Sequence, residues 1–127
     1  MDDRYRLDGK VAVVTGCASG VGESVAKLFT ERGSKVLAVD VNADGLESAM
    51  EGVENVVALP QDVTDSDAAE KIIDAALQNF GQVDILINNA GRVIYAEVHE
   101  LTDEIWNMHF DLNVGAAMRL CRRAIPE

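Results

Sequence analysis

Thr15-Gly16-Cys17-Ala18-Ser19-Gly20-Val21-Gly22 decides how the rest of the chain is read. An apolar run, Val11-Ala12-Val13-Val14, leads into it. A segment with Val21, Val25, Leu28 and Phe29 on one helical face leads out. Strand, glycine turn and helix in that order give the glycines physical meaning. Gly16 permits a sharp turn out of the strand. Gly20 lets backbone approach a bulky anion, and Gly22 lets the helix lie close on the strand. Ser19, Gly20, Val21 and Gly22 then surround first-turn N–H groups whose dipole favours a phosphate or diphosphate. The spacing is Gly-x-x-x-Gly-x-Gly, not the commoner Gly-x-Gly-x-x-Gly, so three glycines alone also fit a turn that binds nothing.

At 127 residues, with 48 % apolar residues and two prolines, the chain reads as one folded domain over 1–127. Its net charge of −11, from 22 acidic and 11 basic residues, argues against nucleic-acid or anionic-membrane partners. A local helix field can still hold a phosphate. Cys17 and Cys121 stand far apart without metal-ligand spacing or a disulfide framework. The first residues lack the apolar core of a signal peptide, and no run approaches the ~20 apolar residues of a membrane span. The expected compartment is the cytoplasm.

Strand-like runs alternate with helix-period segments. Strands are expected near Lys10–Thr15, Lys35–Asp40, Asn55–Leu59 and Val83–Ile87. The first helix runs to about Arg32 with Gly33 as its left-handed cap, and the second covers about Ala43–Glu51. The third, capped by Thr64 or Asp65, carries Ala69, Ile72, Ile73, Ala76, Leu77 and Phe80 to Gly81. The last starts at Thr102, with Leu101 and Trp106 spaced as a hydrophobic staple, and stops at Pro126. Its expected apolar stripe is Trp106, Phe110, Ala117, Leu120, Cys121 and Ala124. The class is α/β: a Rossmann-like doubly wound parallel sheet, order 3-2-1-4, with the ligand crevice between strands one and four.

Asp40 ends the second strand. A carboxylate there accepts hydrogen bonds from an adenosine ribose diol and repels a 2′-phosphate, and no basic residue stands at 17–19 or 41–42, which favours NAD over NADP. Asp62, after the third strand, can bond an adenine edge or simply form the turn beside Pro60. Asn88-Asn89-Ala90-Gly91 puts two amides after a buried strand, where they need partners. They can lock strand ends together while Ala90 and Gly91 leave room for a flat ligand. Asn113 falls on the expected apolar stripe, either satisfied by neighbouring backbone or facing the site through water.

Together these residues resemble the short-chain dehydrogenase/reductase family. The resemblance rests on Leu7–Val14, on Thr15–Gly22 as Thr-Gly-x-x-x-Gly-x-Gly, and on Asp40 as an NAD-selecting acid. Asp62-Val63 matches an adenine-contacting pair, Gly81–Gly91 matches the strand-four signature, and Asn113 matches the asparagine of the proton relay. It implies an NAD-dependent oxidoreductase acting on an alcohol or ketone. Gly16, Ser19, Gly20, Val21, Gly22, Asp40, Asp62, Val63, Asn89, Ala90 and Gly91 are its expected cofactor-binding residues, and Asn113 its expected catalytic one.

The likeness extends over essentially the whole chain but only about the first half of the family's fold. The family's catalytic serine and Tyr-x-x-x-Lys element do not occur in these residues. Tyr5 precedes the first strand, and Tyr95 is followed four residues later by His99. The expectation is a cofactor-binding part, inactive alone, that forms a homo-oligomer or is complemented by a second half. A non-catalytic NAD-binding module and an association fragment are the alternatives. Arg92 departs from the apolar residue usual after Asn-Asn-Ala-Gly and is read as a surface residue.

Overall fold

The computed structural model describes residues 2–127. Its sheet has four parallel strands in the order β3-β2-β1-β4: β1 (Val11–Thr15), β2 (Lys35–Asp40), β3 (Val56–Pro60) and β4 (Ile85–Ile87). Five helices connect and follow them: α1 (Gly20–Glu31), α2 (Ala43–Met50), α3 (Ala68–Phe80), α4 (Asp103–Phe110) and α5 (Ala116–Ala124). Val13 lies opposite both Leu37 and Leu86, and Asp40 opposite Pro60. Pro60 is accommodated because β3 is an edge strand. The strand order matches the sequence expectation, and Gly33 and Gly81 take the left-handed conformations (φ 97° and 81°) expected after helices.

Side-chain alternation along buried strands divides the core in two. Val13, Leu37 and Val39 meet Ile72, Ile73, Ala76, Ala116 and Leu120 from α3 and α5. Ala12, Val14, Val36 and Ala38 meet Ala26, Leu46 and Met50 from α1 and α2. Each large side chain so buried contributes about 1.5–3 kcal/mol. The face of α1 differs from expectation. Gly22 and Ala26 are its buried residues, Val25 and Phe29 pack partly, and Val21 and Leu28 are exposed. The helix approaches the sheet through its small residues, so some bulky ones are left flanking the seam.

The third helix begins at Ala68, not after Thr64 or Asp65. Asp62 accepts both the backbone N–H (2.9 Å) and the hydroxyl (2.7 Å) of Thr64, and Asp65 accepts from the Gln61 amide at 2.9 Å. These bonds hold a separate turn ahead of the helix. Asp67 occupies the N-cap position but pairs with Lys71 at 2.9 Å instead of capping.

The last helix is also revised. Thr102 caps it, accepting from Ile105 N–H at 3.2 Å, but a π turn (Asp111–Gly115) separates α4 from α5. Across that turn the Ala116 N–H reaches the carbonyl of Asp111. One extra residue per turn rotates the downstream side chains by about 100°. Ala116 and Leu120 therefore face the core, whereas Trp106 and Phe110, expected inside, are half exposed with ring centroids 4.9 Å apart. Val114 and Met118 continue that exposed ridge at intervals of four. Arg119 bridges the π turn to Asp111 at 2.8 Å. Arg123 joins α5 to α3 through Glu70 and Asp74, and these carboxylates with Glu127 hold its guanidinium firmly charged.

At the sheet's opposite edge, Asp84 extends a short strand. Its carboxylate accepts the Val11 N–H at 2.8 Å and the Gln82 amide at 2.7 Å, while its own N–H donates to Val11 carbonyl. The Val11 bond, then Gln82, then Lys10 draw its carboxyl below the usual carboxylate range. A lowered folded pKa gives stability that is present above the unfolded value and lost as pH falls through the folded one. Asp84→Ala should cost about 1–2 kcal/mol near neutral pH. Urea melts should show the gap from wild type closing as pH drops below about 4.

Candidate nucleotide site

The C-terminal ends of β1 and β4 are fastened by one hydroxyl. Thr15 Oγ1, buried, accepts the N–H groups of Asn89 (3.1 Å) and Ala90 (3.0 Å), and its own hydrogen is directed at the Ile87 carbonyl at 3.4 Å. The Asn89 side chain donates in turn to the carbonyls of Thr15 (3.1 Å) and Gly16 (3.3 Å). The expected locking of strand ends is thus present in Asn89. Asn88 instead donates to Cys121 Sγ at 3.4 Å, on α5.

This clasp leaves no room beside the glycines. Gly16 has φ 75°, and a Cβ there would lie 2.7 Å from Asn89 Nδ2. A Cβ on Gly22 would overlap the Gly16 carbonyl oxygen. Gly20 differs: it has φ 59° and open space beside it. Ser19 is extended and makes no side-chain cap bond, so the first-turn N–H groups of α1 stay available to an acceptor. Buried Cys17 is inert, its thiol raised to about 11 chiefly by desolvation.

Asp40 stands beside this turn. Its carboxylate accepts the N–H of Ala18 and of Asn42, each at 2.9 Å, and so ties the end of β2 to the glycine turn. It lines a cavity of about 450 Å³ together with Gly16, Val41, Asp62, Val63, Ala90, Gly91 and Arg92. Met108 and Leu112 form another part of its wall. A larger open groove of about 760 Å³ along α2 and β3 contains none of the expected site residues. Six of the expected residues therefore share one cavity that extends over the C-terminal ends of all four strands, wider than the expected β1–β4 crevice. Ser19, Gly20, Val21 and Gly22 form the neighbouring helix start, and Asn89 braces the turn from behind.

Asn113 sits in the π turn. Its Oδ1 accepts the Arg92 N–H and its Nδ2 donates to the Arg92 carbonyl, both at 2.9 Å. A Cβ on Gly91 would lie 2.7 Å from that Oδ1. The amide is satisfied by backbone, the plainer of its two expected roles. His109, one turn earlier, works alongside it: Nε2 accepts the Ile94 N–H at 2.9 Å, and Nδ1–H donates to Ile105 carbonyl at 2.7 Å. The sequence reading missed the roles of Thr15, Asp84 and His109. A hydroxyl ending an otherwise apolar strand was the available signal for Thr15, and the spacing of four from Asn113 was the signal for His109.

The residues present suit a dinucleotide: an open helix start, glycines whose side chains would collide, and a fixed carboxylate one strand away. Fold and site define a Rossmann-like α/β protein. The family model described as short chain dehydrogenase matches residues 10–127, and the chain belongs to that family. It is 35% identical to a D-threitol dehydrogenase of Mycolicibacterium smegmatis, over 96% of this chain and 48% of that one. It is 34% identical to an uncharacterized oxidoreductase of Staphylococcus aureus, over 94% and 53%.

Among solved structures, a short-chain dehydrogenase/reductase of Brucella melitensis described as a glucose/ribitol dehydrogenase superposes with TM-score 0.90. It is 27% identical, with 96% of this chain and 53% of that chain covered. A 3-ketoacyl-(acyl-carrier-protein) reductase of the same organism, complexed with NADH, gives TM-score 0.88 at 32% identity, covering 94% and 50%. The chain spans about half the length of the relatives it matches. No helix among the described residues is long and apolar enough to cross a membrane.

The Thr15 clasp can be tested directly. Thr15→Val keeps shape but leaves the Ala90 N–H without an acceptor and the Asn89 N–H with the Ile87 carbonyl alone, at about 1–3 kcal/mol. Its thermal midpoint should fall by several degrees, while Thr15→Ser should remain near wild type.

Proposed function

We propose that this chain holds NAD, with the diphosphate at the start of α1 and the adenosine ribose at Asp40. The observation that carries the reading is the Asp40 carboxylate, fixed between Ala18 and Asn42 N–H groups on the wall of the cavity that Gly16 opens. Ser19, Gly20, Val21 and Gly22 present the diphosphate with backbone donors. Asp62 and Val63 border the adenine, Ala90 and Gly91 form the floor under the ribose, and Asn89 braces the glycine turn behind them. The NADH-bound relative supports the choice of a nicotinamide dinucleotide.

The chemistry supplied by such a dinucleotide is hydride transfer, here between NAD and an alcohol or ketone. The chain's own contribution is positioning. Asn113 holds the Gly91-Arg92 backbone, and through it the edge of the site. These 127 residues contain no Tyr-x-x-x-Lys pair, so they lack a tuned phenol to move the substrate proton. The chain by itself is a binding unit, and turnover belongs to an assembly that includes the missing groups.

Association is a companion reading, favoured by the ridge of Trp106, Phe110, Val114 and Met118, each about half exposed. We propose that this ridge joins two copies. Sedimentation should show a dimer, and Trp106→Glu should yield monomers.

Fluorescence titration should show NADH held at least tenfold more tightly than NADPH, and Asp40→Asn should shrink that ratio by about tenfold. Equal affinity of the wild type for both would defeat the reading. The purified chain should give no turnover on a panel of secondary alcohols.

A further inference from the structure

Four arginines are engaged elsewhere: Arg4, Arg6, Arg119 and Arg123 each pair with a carboxylate. Arg32 lies over the Tyr5 ring, and Arg92 and Arg122 make no ion pair among the described residues; of these three only Arg92, which is exposed, lines the cavity that holds Asp40. Yet its backbone is among the most firmly held in the loop after β4, with both N–H and carbonyl bonded to the Asn113 amide at 2.9 Å. A free cation on a pinned stem is an unusual combination for a residue of no consequence.

Its location gives the pinning a use. The cavity it lines also contains Asp40 and Asp62, and Arg92 is the single basic residue on that wall. Two carboxylates alone would repel a phosphorylated ligand, within a protein that already carries a net charge of −11. A guanidinium offers a planar fork of donors matched to phosphate oxygens, and it remains charged throughout the working pH range.

Resting on the NAD-binding reading above, we infer that Arg92 is a nucleotide-binding residue: it pairs with a phosphate of the bound dinucleotide and offsets the repulsion from Asp40 and Asp62. Asn113 acts through it as a positioning residue, fixing where the guanidinium stem begins. NAD carries no 2′-phosphate, so the phosphate that Arg92 meets is the diphosphate bridge, and comparing NADH with NADPH checks that assignment.

The test is equilibrium binding of adenosine, ADP-ribose, NADH and NADPH to wild type, Arg92→Ala and Arg92→Lys, at low and high salt. Circular dichroism checks that each variant is folded. Arg92→Ala should weaken ADP-ribose and NADH about tenfold, with adenosine unchanged and the salt dependence flattened. Arg92→Lys, which keeps charge but loses the fork, should fall between. Loss confined to NADPH would overturn the pairing, because NADH carries no 2′-phosphate. Unchanged affinity for all phosphorylated ligands, or an equal loss for adenosine, would overturn it. Failure of the wild type to bind any dinucleotide would instead strike the underlying NAD reading, so the two failures are distinguishable.

Discussion

Everything at the functional edge depends on a single close approach, that of α1 to β1 at Gly16 and Gly22. The Gly22 Cα position faces the Gly16 carbonyl, and that carbonyl also accepts from the Asn89 amide. The end of β1, the start of α1 and the distant loop after β4 therefore meet at one peptide group. No side chain can be inserted there without separating helix from sheet, because backbone cannot yield as a side-chain tip does. The helix start is brought to the crevice by this steric tolerance, and its field is useful only because it arrives there.

Around that point, polar side chains do work that the short strands leave undone. Thr15 and Asn89 close the upper end of the β1–β4 pairing, and Asp84 closes the lower end. With β4 only three residues long, these side chains supply bonds that a longer ladder would have made from backbone. The cost of such a design is dependence on a few groups. The benefit is a strand end free to bend at once into Ala90-Gly91 and border the cavity.

Much of this was legible in the sequence where local chemistry and periodicity agreed. Alternation of apolar runs with helical segments gave strand order and crevice, since right-handed crossovers leave few alternatives. Asp40 was legible because a carboxylate at a strand end, one strand from a glycine turn, has a restricted set of neighbours. Trp106 and Phe110 were misplaced because ordinary α-helical spacing cannot reveal a π turn at Asp111–Gly115. That turn is set by tertiary bonds from Asn113 to Arg92 and from Arg119 to Asp111. The start of α3 was misplaced for a similar reason. Asp62 and Asp65 both spend their oxygens on the preceding turn, a competition that residue type alone does not rank. Arg92 was read as surface, which its exposure bears out. Its neighbours across the cavity come from β2 and β3, beyond the reach of local pattern.

The break between α4 and α5 also sets a hierarchy of motion. Helix α5 buries Ala116 and Leu120, whereas α4 buries none of its residues. What steadies the earlier helix is polar: the Thr102 cap at its beginning and the His109 link to Ile94 near its end. Amide protons of α4 and of the 92–97 loop should thus exchange with solvent together and ahead of those in the sheet, as one sub-globular unit. The wall that Met108 lends to the cavity belongs to this softer unit, while the wall at Gly16 adjoins the buried end of β1 at Thr15. A bound nucleotide would consequently be registered as a slowing of that exchange, with the sheet beneath it unaltered.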